Sequence, residues 1–84
     1  MMLNVLYFAS LREAFGRANE QVALQVPADV NTLLAELRAR GGSWAEALGA
    51  DKRWRVAVNQ QMAAMQTPLK TGDEVAIFPP VTGG

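Results

Sequence analysis

The seven residues Phe78-Pro79-Pro80-Val81-Thr82-Gly83-Gly84 suit one kind of chemistry, the activation of a carboxylate at the end of a thin tether. Pro79 and Pro80 each fix φ near −65° and withdraw a backbone donor, so a strand reaching Phe78 must stop and the chain must leave extended. The four residues beyond Pro80 reach roughly 13–14 Å. Gly83 and Gly84 have no Cβ, so only backbone would enter a narrow passage in a partner. A terminal carboxylate on Gly84 would be ionised at neutral pH, with an ordinary pKa of about 3.5, and a poor electrophile until a leaving group is attached. These residues predict a tail, 79–84, that delivers Gly84 to an adenylating enzyme. The competing reading is a frayed end, and the direct junction of strand and tail through two stiff prolines speaks against it.

Other chemistry is largely excluded. The chain has 84 residues, half of them apolar, which predicts one small globular domain over 1–78. Eight basic and eight acidic residues cancel, so neither nucleic acid nor an acidic membrane surface is an expected partner. No apolar run is long enough to span a membrane and no basic-then-apolar leader opens the chain, which predicts a cytoplasmic protein. There is no cysteine and no histidine. Thiol nucleophiles, disulfides, zinc ribbons and iron–sulfur clusters are excluded, as is the usual proton shuttle. Two serines and four threonines remain with no histidine to activate them. The chain does not read as a self-sufficient enzyme, and any cofactor is expected on a partner.

The elements that must position the tail follow from periodicity. Met2–Phe8 is an apolar run predicted as a strand buried largely on both faces. Ser10-Leu11-Arg12-Glu13 has capping-box spacing, with Gly16 closing the short helix. Glu20–Val26 alternates, with Val22, Leu24 and Val26 inward. Asp29 is the expected N-cap of the main helix, whose stripe is Val30, Leu33, Leu34 and Leu37, with Gly41-Gly42 as its stop. Ser43 to Glu46 repeats the capping-box spacing and predicts a helical turn to about Leu48. A charged loop, Asp51 to Arg53, leads into a strand over Trp54–Asn59. Asn59-Gln60-Gln61 turns the chain into a short strand around Met62–Met65. Gly72 supplies a positive φ, and Glu74–Phe78 is the last strand. The first and last strands, the most apolar, are expected side by side at the centre. The fold class is α+β, a mixed sheet with one main helix on one face, as in ubiquitin-like β-grasp proteins.

With the helix on one face, alternation leaves Leu6, Phe8, Ala57, Ala76 and Phe78 on the other, with Met62 nearby. Small alanines between phenylalanines predict a flat apolar patch for partner binding, bordering the exit of the tail. Covering loops or a dimer are the alternative occupants.

The stretch Asp73 to Gly84 resembles the C-terminus of the small subunits of molybdopterin synthase, a family of ubiquitin-like sulfur carriers. So do Val5-Leu6-Tyr7-Phe8-Ala9 with Leu11-Arg12-Glu13, and Ala57-Val58-Asn59-Gln60 with Pro68-Leu69. The resemblance implies a sulfur carrier in molybdenum cofactor biosynthesis. Gly84 would be adenylated and converted to a thiocarboxylate, and its sulfur passed to a cyclic pyranopterin phosphate to build the dithiolene. The implied partners are a large synthase subunit, in a heterotetramer of two large and two small subunits, an ATP-dependent activating enzyme, and a sulfurtransferase. ATP, magnesium and zinc would belong to the activating partner. Phe8, Met62, Phe78, Pro79, Pro80, Val81 and Thr82 would meet the partners. The alternatives are a sulfur carrier for another pathway such as thiamine synthesis, a ubiquitin-like modifier joined to lysines, and a plain β-grasp binding module.

Overall fold

The computed structural model describes residues 1–49 and 55–79. Among the described residues five strands and three helices follow in the expected order: β1 (Met2–Tyr7), α1 (Ser10–Phe15), β2 (Asn19–Ala23), α2 (Val30–Arg38), α3 (Gly42–Ala47), β3 (Arg55–Val58), β4 (Gln61–Ala63) and β5 (Glu74–Phe78). The strands form one mixed sheet in the order β2-β1-β5-β3-β4. β5 lies at the centre, parallel to β1 and antiparallel to β3. The two most apolar strands are therefore neighbours, as their composition demands.

α2 covers one face. Asp29 caps it by accepting from the Thr32 amide at 2.9 Å, and the Asp29 amide donates back to the Thr32 hydroxyl, closing a capping box. Val30, Leu33, Leu34 and Leu37 are buried and meet Leu3, Val5, Tyr7, Val56, Val75 and Ile77 of the sheet in one core cluster. Leu11, Phe15 and Leu48 close its end. The Asn59-Gln60 connection between β3 and β4 has φ of 50° and 68°, the paired positive values of a two-residue hairpin turn matched to strand twist. Gly72 takes φ 90°, as expected.

Several local expectations need correction. β1 is buried on one face only: Leu3, Val5 and Tyr7 point inward, whereas Met2 and Asn4 are exposed. Ser10 does not cap α1. It is the first helical residue, and Ala9 precedes it with φ 53° and no side-chain cap. The chain must turn sharply there, because the Phe8 amide still bonds to β5 at the Ile77 carbonyl. Gly16 does end α1 in the left-handed conformation. Ser43 likewise does not cap α3, because Gly41 at φ 78° takes that place. α2 ends earlier, at Arg38 with Ala39 as its C-cap, so the glycine pair starts α3 rather than stopping α2. β2 ends at Ala23, not Val26. Leu24 still exchanges both backbone bonds with Met1 at 2.6 and 2.9 Å, but Val26 is 69% exposed. β4 spans Gln61–Ala63, starting one residue earlier and ending two earlier than expected. Trp54 and the Asp51 to Arg53 loop lie outside the described residues.

Candidate functional site

The register of the sheet builds the face away from α2 row by row. Leu6 pairs with Ala76, Ala76 with Ala57, and Ala57 with Met62. One apolar row thus crosses four strands. Towards the C-terminal end of β5 lies a second row, Phe8, Phe78 and Arg55. The Phe8 and Phe78 rings stack with centroids 4.7 Å apart and planes 16° from parallel. At the other end Asn4 pairs with Glu74, and Asn59 bonds Asp73 and the Glu74 amide at 2.9 and 3.0 Å. The face is therefore graded, polar where β5 begins and aromatic where it ends.

Ala57 and Ala76 belong to no part of the core cluster, so they form the floor of the patch and not the packing under α2. Their small side chains keep that floor flat between taller neighbours. Phe8 remains 40% exposed and Met62 64%, and Leu6, Phe78 and Pro79 are half-buried. The structure thus brings Leu6, Phe8, Ala57, Met62, Ala76 and Phe78 together on one face, and places Pro79 at the strand end beside the stacked rings. Exposed apolar groups in a contiguous row are what a protein partner needs. Pro80, Val81, Thr82, Gly83 and Gly84 lie outside the described residues. Among the described residues no group of three or more Asp or Glu side chains could hold a metal ion, and no helix is long and apolar enough to cross a membrane.

On the helix side, at the same end of the sheet, lies a cluster that the sequence reading missed. The Tyr7 hydroxyl donates to Glu20 Oε2 at 2.5 Å. Arg40 donates to both Glu20 oxygens at 2.8 and 3.1 Å, and Arg17 adds a contact at 3.2 Å. Arg40 also lies over the Trp44 ring at 4.3 Å, while Phe15 stacks on Trp44 at 3.8 Å and meets Tyr7 edge-on. The cluster ties β1, β2, α1 and α3 to the end of α2. One signal could have found it: Glu20 shares the inward phase of Val22 and Leu24, and a carboxylate on a buried phase demands a cationic partner.

The electrostatics follow. Burial, then the hydrogen bond to Glu20, pushes the Tyr7 hydroxyl far above its ordinary value, so it remains a donor. Burial works against ionised Glu20, but the bonds from Arg40 and Tyr7 outweigh it and hold the carboxyl below its ordinary 4.5. A carboxylate depressed in the folded state adds stability at pH values above the unfolded pKa and loses it as pH falls through the folded one. Glu20→Gln should therefore cost about 1–2 kcal/mol at neutral pH, the worth of charge-assisted bonds at a partly buried site. It should also flatten the loss of stability between about pH 5 and pH 3. Denaturant melts of both proteins across that range test this; parallel acid limbs would show that Glu20 does not carry it.

The model of the ThiS family matches residues 5–84. The molybdopterin synthase sulfur carrier subunit of Escherichia coli is 45% identical over 83 residues, covering 99% of this chain and all of that one. Small archaeal modifier protein 1 of Haloferax volcanii has a crystal structure that superposes with a TM-score of 0.80 at 28% identity, covering 95% of this chain and 98% of that one. Subunit 1 of a molybdopterin-converting factor from Helicobacter pylori, solved in complex with subunit 2, superposes with a TM-score of 0.68 at 29% identity over the full length of both chains. The ubiquitin-like β-grasp fold is common to them all.

Proposed function

This chain belongs to the ThiS family, and we propose that it is the sulfur carrier of a molybdopterin synthase. What carries the reading is the 45% identity to the E. coli sulfur carrier subunit along 99% of the chain. The family match runs through Gly84, so the terminal glycine pair falls within the family pattern.

The chemistry proposed is that of the Gly84 carboxylate. In an activating enzyme, a carboxylate oxygen attacks the α-phosphorus of ATP, pyrophosphate leaves, and an acyl adenylate forms. The terminal sulfur of a sulfurtransferase persulfide then displaces AMP to give an acyl disulfide. Attack of a thiol on the donor's sulfur breaks the S–S bond, releasing the thiocarboxylate and a new disulfide. Its sulfur is anionic and nucleophilic at neutral pH, so this chain need supply no base. In the large subunit the sulfur attacks the cyclic pyranopterin phosphate on the way to the dithiolene, and hydrolysis restores the carboxylate. ATP and magnesium act in the activating partner. This chain contributes the tether, Pro79 to Gly83, and the docking face of Leu6, Phe8, Met62 and Phe78. The apolar character of that face explains how one small domain can meet an activating enzyme and a synthase subunit in turn.

Mixed with a large synthase subunit, the protein should form an assembly of two large and two small chains, measurable by light scattering. The docking face is apolar and the chain has no net charge. Affinity should therefore change less than about tenfold between low and moderate salt. A steep fall would assign the contact to charges such as Arg12 and Arg55.

A second reading is favoured by the likeness to the archaeal modifier protein. A ubiquitin-like modifier would share the adenylation step but end in an isopeptide bond to a lysine amine instead of a thiocarboxylate.

A further inference from the structure

Among the described residues one edge of the sheet is left open beside a groove. β2 is the outer strand next to β1. Its ladder to β1 uses Ala18, whose carbonyl accepts from the Tyr7 amide, and Leu24, which exchanges both backbone bonds with Met1. Antiparallel bonding alternates, so Glu20 and Val22 complete the inward set. The amides and carbonyls of Asn19, Gln21, Ala23 and Gln25 then point away from the sheet.

Edge strands are commonly blunted by lysine, proline, a bulge or extreme shortness. β4, the opposite edge, has only three residues. From residue 19 to 26 β2 and its extension carry no lysine, arginine or proline, and the one charge, Glu20, is engaged by Arg40 and Arg17. Along this edge two cavities of about 340 and 490 Å³ lie end to end between β2 and α2, sharing Ala23 and Glu36 as lining. Buried Val22, Leu24 and Leu37 form their floor.

The charge of the groove selects its occupant. Glu36 is exposed, makes no ion pair among the described residues and is the one charged residue lining the 490 Å³ cavity. Arg40, which lines the 340 Å³ cavity and feels Glu36 only at longer range, is held by Glu20. A second copy of β2 would bring no lysine or arginine to meet Glu36, because residues 19 to 26 contain none.

We propose that the open edge of β2 and the groove against α2 bind an extended basic peptide segment of a partner protein, which adds a sixth strand and places a lysine or arginine against Glu36. Backbone bonds to Gln21, Ala23 and Gln25 supply the affinity, and Glu36, the one charge at the Gln25 end of the groove, selects the side chain. The segment would span four or five residues, roughly 13–16 Å. Because this edge lies outside the apolar row from Leu6 to Met62, the peptide would leave the outer face and the tail free, and the proposal stands whether or not the sulfur carrier reading does.

The test uses isotopically labelled full chain and a synthetic peptide, acetyl-Val-Thr-Lys-Thr-Val-amide, whose lysine and two valines share one face. Titration should shift the amide signals of Asn19, Gln21, Ala23 and Gln25 and slow their hydrogen exchange. Glu36→Lys should weaken this peptide at least tenfold and confer binding of the analogue with glutamate in place of lysine. That exchange of preference could not arise from a fold defect. Shifts centred on Phe8, Met62 and Phe78, no protection of the four amides, or a charge swap without effect would each overturn the proposal. Protection of those amides by the protein alone, rising with its concentration, would do so too, because the occupant would then be a second copy.

Discussion

Removal of Gly83 and Gly84 should abolish sulfur transfer while leaving the melting temperature within about 1–2 °C of the full chain, since chain ends outside the packed core contribute little to folding. The core cluster draws on residues from Leu3 to Ile77, so the deletion touches none of its side chains. The loss of activity should be complete, because it removes the group that is to be activated and shortens the tether by roughly 7 Å. Replacing Gly83 with a bulky residue should act in the same direction through sterics alone, a Cβ and beyond entering a passage shaped for bare backbone. Thermal melts beside a sulfur-transfer assay check both. A deleted chain that melts many degrees lower would make the tail a structural element.

The second large effect separates two adjacent residues of β5. Ile77 is fully buried beneath α2, and Ile77→Ala should cost about 2–4 kcal/mol through lost burial and the cavity left behind. For a domain of this size that corresponds to a fall of roughly 10–25 °C in Tm. Phe78 is half-buried on the opposite face, stacked on Phe8. Phe78→Ala should weaken the complex with the large subunit by about 30-fold or more, as expected for an aromatic anchor at an interface centre. Its cost to the fold should be smaller, about 1–2 kcal/mol, since the ring is only half-buried and lies outside the core cluster. Calorimetry of each variant and titration against the large subunit distinguish the two. An unfolded Phe78→Ala with an unaffected Ile77→Ala would mean that the faces of β5 are reversed.

Those two residues also show why so much of the fold was legible. Alternation fixes which of Ile77 and Phe78 turns inward once the neighbouring strands are known, and a strand's period of two leaves no intermediate choice. The stripe from Val30 to Leu37 and the Asp29 cap were equally readable, because helix period and cap chemistry act over a few residues. The outer patch followed from the same alternation. What stayed hidden depends on distant partners. Ser10 and Ser43 have the spacing of caps, but the entry to each helix is set by where the preceding segment is tied, at Ile77 for α1 and at Gly41 for α3. Val26 has the right phase for burial yet lies beyond the reach of β1, which begins at Met2. Glu20, Tyr7 and Trp44 come from three separate elements and Arg40 from the α2–α3 connection, and nothing local announces that they meet.

The measurement that bears most directly on the sulfur carrier assignment is the intact mass of the protein before and after incubation with an activating enzyme, ATP and a sulfur source. One oxygen should be replaced by sulfur, with fragmentation placing the change on Gly84. The modified chain should return to its starting mass when mixed with the large synthase subunit and the pyranopterin precursor. An isopeptide bond from Gly84 to a lysine of another protein, or a terminus that never reacts, would contradict the assignment.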